Sequence, residues 1–65
     1  MKTEFDYGRE YAQDQRNRPG NRPVDIDQMI TGSRDIPDGD YAEMRASGIE
    51  NPDPRKYWEG YNSIF

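Results

Sequence analysis

Cysteine, histidine and leucine are all missing from this 65-residue chain. Without cysteine there is no disulfide and no thiolate, and without histidine there is no imidazole ligand or general base. Zinc sites built on sulfur or nitrogen, and Cys- or His-based catalysis, are therefore excluded. The lack of leucine removes a mainstay of protein cores. The non-aromatic core candidates reduce to Val24, Ile26, Met29, Ile30, Ile36, Met44, Ile49 and Ile64. Long apolar runs are missing too. No stretch approaches the roughly 18 apolar residues of a membrane span, and the opening "MKTEFDYG" lacks the apolar centre of a secretion signal. The expected setting is cytoplasmic, or inside a particle assembled there.

Domains below about 70–80 residues usually lean on disulfides, a metal or oligomerisation. Here the first is excluded and the apolar supply is short against the conformational entropy that ordering the chain must offset. The expected fold is mostly irregular or extended, with two or three short α-helices, little core of its own, and order supplied by a partner.

Charge is spread unevenly. The chain carries a net −4. Residues 1–23 hold five basic groups against four acidic ones, whereas residues 24–65 hold four basic against nine acidic. Nucleic-acid binding wants a basic surface, so no direct nucleic-acid partner is expected.

The chain divides into three stretches within one small unit. Residues 1–16 form an N-terminal aromatic and charged segment. Tyr7 and Tyr11 share a helical spacing but Gly8 lies between them, so the reading is irregular or weakly helical. Residues 17–23, "NRPGNRP", read as an extended, turn-prone linker that exposes Arg18 and Arg22. Residues 24–65 carry the clearer helix grammar. Asp25 caps a short helix through Gln28, with Val24 and Met29 as its hydrophobic staple and Gly32 as its stop. A turn on Pro37-Asp38-Gly39 leads to a second helix capped by Asp40 and closed by Glu43. Gly48 ends it in a Schellman motif that places Ile49 over Met44. Asp53 and Pro54 open a third, a single turn stopped by Gly60.

Sites of chemistry are scarce. The acidic run Asp35, Asp38, Asp40 and Glu43 fails both EF-hand frames, since Ala42 and Glu43, or Pro37 and Asp40, occupy positions that need an oxygen ligand and a glycine. No metal and no cofactor are expected. Paired carboxylates need a cleft that shifts their pKa, which so small a chain is not expected to enclose, and no phosphate-cradling glycine loop is present. No enzyme and no small-molecule substrate are expected. "YAEM" at 41–44 is a loose tyrosine pattern that one apolar helix face explains more simply.

The strongest feature is the ending "RKYWEGYNSIF". Tyr57, Trp58, Tyr61, Ile64 and Phe65 concentrate the heaviest apolar side chains at one end, and aromatic residues are common interface anchors. Either they fold back as an intrachain core or they dock into a partner. The short apolar supply favours docking, with Arg18 and Arg22 gripping acidic groups. The expected function is a non-catalytic accessory subunit that fastens or bridges larger subunits of an oligomeric assembly, such as a bacteriophage capsid, neck or tail. Two alternatives stand beside it. One is a small acidic inhibitor of a host or cellular enzyme, and the other is an independently folded three-helix interaction miniprotein.

Overall fold

Thr3 starts the first helix through a reciprocal bond with Asp6. The Asp6 N–H donates to the Thr3 hydroxyl at 3.4 Å, and the Thr3 N–H donates to Asp6 Oδ2 at 3.0 Å. This is a capping box, with two otherwise orphaned donors satisfied at once. Glu4 and Asp6 in the first turn also complement the positive end of the helix dipole. Helix α1 (Glu4–Gln15) follows. The computed structural model describes residues 1–15, 22–27 and 36–65.

Helix α2 (Asp38–Ala46) begins directly after Pro37, so the turn expected at Pro37-Asp38-Gly39 is already its first turn. Asp40 therefore sits inside the helix rather than capping it. Its end is as the sequence indicates. The Ile49 N–H donates to the Met44 carbonyl at 2.9 Å and the Gly48 N–H to the Arg45 carbonyl at 3.2 Å, with Gly48 at φ 109°. Those two bonds define the Schellman motif.

Helix α3 (Pro54–Asn62) opens as expected, with Asp53 Oδ1 accepting the Arg55 N–H at 2.9 Å and Pro54 in the first position. It does not stop at Gly60. It runs on to Asn62, so Tyr57, Trp58 and Tyr61 share one helix. In the segment 22–27, Asp25 Oδ1 accepts the Asp27 N–H at 3.1 Å, the bond a helix cap makes. The rest of the helix expected there, including Gln28, Met29, Ile30 and Gly32, lies outside the described residues, as does the linker from 17 to 21.

The main packing is α1 against α3. Two glycines set it. A methyl group on Gly8 would lie 2.7 Å from the Tyr57 carbonyl carbon and closer still to its oxygen; one on Gly60 would do the same against the Phe5 carbonyl. Each glycine thus seats the backbone of the opposite helix, where no side chain is able to rotate aside. Gly8 costs α1 about 1 kcal/mol of helix propensity relative to alanine, and the contact it permits outweighs that cost. This is why residues 4–15 are a regular helix instead of the irregular segment expected.

Around the notch lies a core made of Tyr7, Ala12, Ile36, Met44, Tyr57, Trp58 and Tyr61, with Tyr11, Val24, Ile26, Ile49 and Ile64 packed against it. The expectation of a mostly irregular chain with little core, ordered by a partner, is therefore wrong. Three helices among the described residues enclose their own apolar centre. The Cα radius of gyration is 11.3 Å, near the roughly 10.7 Å of a compact domain this long. The physical reason is economy of fill: five large rings substitute for the absent leucines, each burying about 150–250 Å².

Polar ties finish the packing. Asn62 brackets the Val24 backbone, its Oδ1 accepting the Val24 N–H at 2.8 Å and its Nδ2 donating to the Val24 carbonyl at 2.9 Å. The Asp53 N–H donates to Glu4 Oε2 at 3.3 Å, joining the starts of α1 and α3. Asp53→Ala is expected to cost about 1 kcal/mol of unfolding free energy, and Trp58→Ala about 3–5 kcal/mol, read by urea titration of the far-ultraviolet circular dichroism. Equal and small losses at both positions would contradict the placement of Trp58 at the centre of the core.

Candidate functional site

The residues singled out at the C-terminus divide between the interior and the surface. Tyr57, Trp58 and Tyr61 are buried within the chain. A side chain without accessible surface has none to offer a partner, so in this conformation these three rings act on the fold. Ile64 is half-buried, while Phe65 keeps 41% of its surface exposed. Arg22 is exposed, and Arg18 lies outside the described residues.

The rings form a continuous column. Trp58 meets Tyr57 edge-on at 4.9 Å between centroids and Tyr61 at 5.1 Å, with interplanar angles of 83° and 70°. Tyr11 closes the column from α1, at 6.2 Å from Trp58 and 5.8 Å from Tyr61. Edge-to-face pairs contribute about 0.5–1.5 kcal/mol each beyond the area they bury. Phe65 extends the column outward, 5.0 Å from Tyr61. The C-terminal backbone holds it there through the Phe65 N–H bond to the Asn62 carbonyl at 3.1 Å. Phe5 is also exposed, at 38%, and its backbone abuts Gly60. Half-buried Ile64 and exposed Phe65 thus form an apolar edge just beyond the end of α3.

A second apolar feature sits at the starts of α2 and α3. There Ile36, Tyr41, Pro52 and Pro54, with Asp38 at the rim, surround a notch of about 220 Å³. Tyr41 is 41% exposed.

One polar contact crosses the core. The Tyr57 hydroxyl donates to Asp40 Oδ2 at 2.5 Å, the short length of a charge-assisted bond. Burial, first, and then the bond to the Asp40 carboxylate push the Tyr57 phenol well above its ordinary range. This bond joins α2 to α3, and it explains what Asp40 does in place of capping.

Among the described residues, no group of three or more acidic side chains is placed to hold a metal ion, and no helix is long and apolar enough to cross a membrane. Compared with protein-family models, with curated proteins and with solved structures, the chain matches none.

Several residues that shape this region escaped the sequence reading. The spacing Tyr57, Trp58, Tyr61, Ile64 and Phe65 is itself a helical face at i, i+1, i+4, i+7 and i+8, which signals a helix continuing through Gly60. "TEFD" at 3–6 is a capping box in which aspartate takes the usual place of glutamate. Asn62 had no local signal, because its partner Val24 is remote in sequence.

The Tyr57 phenol carries a pH prediction. A folded-state pKa raised above the unfolded one contributes stability that is complete below about pH 10 and is lost as pH rises further. Thermal unfolding followed between pH 7 and 12 should show wild-type stability falling above pH 10 with a steeper slope than Tyr57→Phe. At pH 7 that variant should be less stable by about 1.5–3 kcal/mol, the net value of a bond to a charged group. Parallel alkaline slopes for the two proteins would contradict the Tyr57–Asp40 assignment.

Proposed function

We propose that the chain is a non-catalytic accessory subunit, a self-folding helical module that fastens or bridges larger subunits of an assembly. The observation that carries this reading is the Phe65 ring, exposed at the outer end of a column whose other members are packed inside. An exposed aromatic backed by rigid rings buries a large area on docking and has few rotors left to freeze. Half-buried Ile64, its neighbour in sequence, widens the same edge. The module thus keeps one part of its aromatic ending for the core and presents the other part to its partner.

This reading revises how the anchor works. The partner is not required to create the fold; it covers an edge that the fold already displays. Binding of this kind is largely apolar, so it should survive salt. An acidic inhibitor that works through its net charge should instead lose affinity steeply as ionic strength rises.

The test is co-purification of the tagged full-length chain from its native source, in low and high salt, with the Phe65→Ala variant beside it. Wild type is expected to retain the same co-migrating subunits at 0.5 M salt. Phe65→Ala should lose them by tenfold or more while keeping its far-ultraviolet dichroism, as expected of an exposed aromatic anchor. Equal recovery of partners by both proteins would remove the C-terminal edge as the anchor.

A further inference from the structure

On the opposite part of α1, a cleft opens toward α2. Its volume is about 180 Å³, and α1 lines it with Tyr7, Glu10, Tyr11 and Asp14 while α2 supplies Asp40 and Glu43. One cation already occupies part of it. The Lys2 ammonium lies 4.1 Å from the centroid of the Tyr7 ring and 2.7 Å from Glu10 Oε2. A ring face plus a carboxylate is a recognised way to hold an ammonium or guanidinium group. The Glu10 bond, and the charge of Glu43 across the cleft, hold Lys2 above the ordinary lysine range.

The α1 sequence repeats this arrangement one turn later. Tyr7 and Glu10 stand three residues apart, and so do Tyr11 and Asp14, so both pairs face the same cleft. The first pair is filled by Lys2. Among the described residues, no cation is paired with Asp14 or with Glu43 on the far wall. Six titratable side chains thus surround the cleft, and among the described residues Lys2 is the one positive charge that lines it.

We propose that this cleft receives a basic segment of a partner protein, with Tyr11, Asp14 and Glu43 holding a lysine or arginine side chain as Tyr7 and Glu10 hold Lys2. Lys2 is then the chain's own occupant of the first subsite and competes with an incoming cation there. A divalent metal is a poor match, because it needs several carboxylates converging on one point and the described residues offer no such group. Neither Ile64 nor Phe65 lines this cleft, so the proposal does not depend on the Phe65 edge.

The test is a titration of the 15N-labelled full-length chain with a tetra-arginine peptide, with tetra-glutamate as control. Shifts in the arginine titration should concentrate on the amides of Tyr7–Asp14 and Asp40–Arg45. Neutralising Asp14→Asn and Glu43→Gln together should weaken binding about five- to tenfold. Both side chains are exposed, so the fold should be unaffected. Lys2→Ala should tighten binding about threefold or more, by freeing the first subsite. Shifts spread evenly over all acidic side chains, or unchanged affinity in the Asp14→Asn/Glu43→Gln protein, would overturn the proposal. Weaker binding in Lys2→Ala would overturn the competitive role of Lys2.

Discussion

The structure depends on a backbone-to-backbone contact at which α1 and α3 exchange glycines. Gly8 receives the carbonyl of Tyr57 and Gly60 receives the carbonyl of Phe5. Because each obstructing atom belongs to the main chain, neither helix is able to relieve an added methyl group by changing a rotamer. The contact brings the aromatic residues of both helices to one level. Tyr11 reaches Tyr57, Trp58 and Tyr61 only because the helix axes are this close. A chain without leucine thereby makes a core from rings, at a helix separation that bulkier residues at 8 and 60 would forbid.

Polar groups then fix what close packing alone leaves loose. The Tyr57–Asp40 bond attaches α2, whose backbone makes little contact with α3. Asn62 holds the segment beginning at Val24 by its backbone, a tie indifferent to the side chain at that position. Both use an element's terminal region to secure something remote in sequence, and neither leaves a buried side-chain donor or acceptor unpaired among the described residues. In so small a core, an unpaired polar atom would cost a large share of the total stability.

Local grammar was legible in the sequence where the bonds are local. The Asp53–Pro54 start of α3 and the Schellman ending of α2 involve neighbours a few residues apart, and both stand as read. The failures share one cause. Gly8 and Gly60 read locally as a weak point and a stop, since a glycine in isolation lowers helix propensity; their role appears only when the opposite backbone is present. Asp40 looked like a cap for the same reason, its distant phenol being invisible to local spacing. A short apolar supply favours docking of the ending over folding back, yet Tyr57, Trp58 and Tyr61 fill the core, because a few large rings close it without leucine. Of the C-terminal group, Ile64 and Phe65 retain accessible surface, and burial of the other three rings is a consequence of long-range packing.

Two surfaces of different chemistry follow from this frame, an apolar edge at Phe65 and an acidic, tyrosine-lined cleft along α1. Both are rigid only if the chain orders itself. The most direct measurement is amide hydrogen exchange on a dilute, isolated chain, compared with its Gly8→Ala variant. The account predicts protection across α1 and α3 in the wild type and loss of protection in both helices together in the variant. Exchange of the wild-type α1 and α3 amides at unstructured-peptide rates would contradict it, as would protection that persists unchanged when Gly8 is replaced.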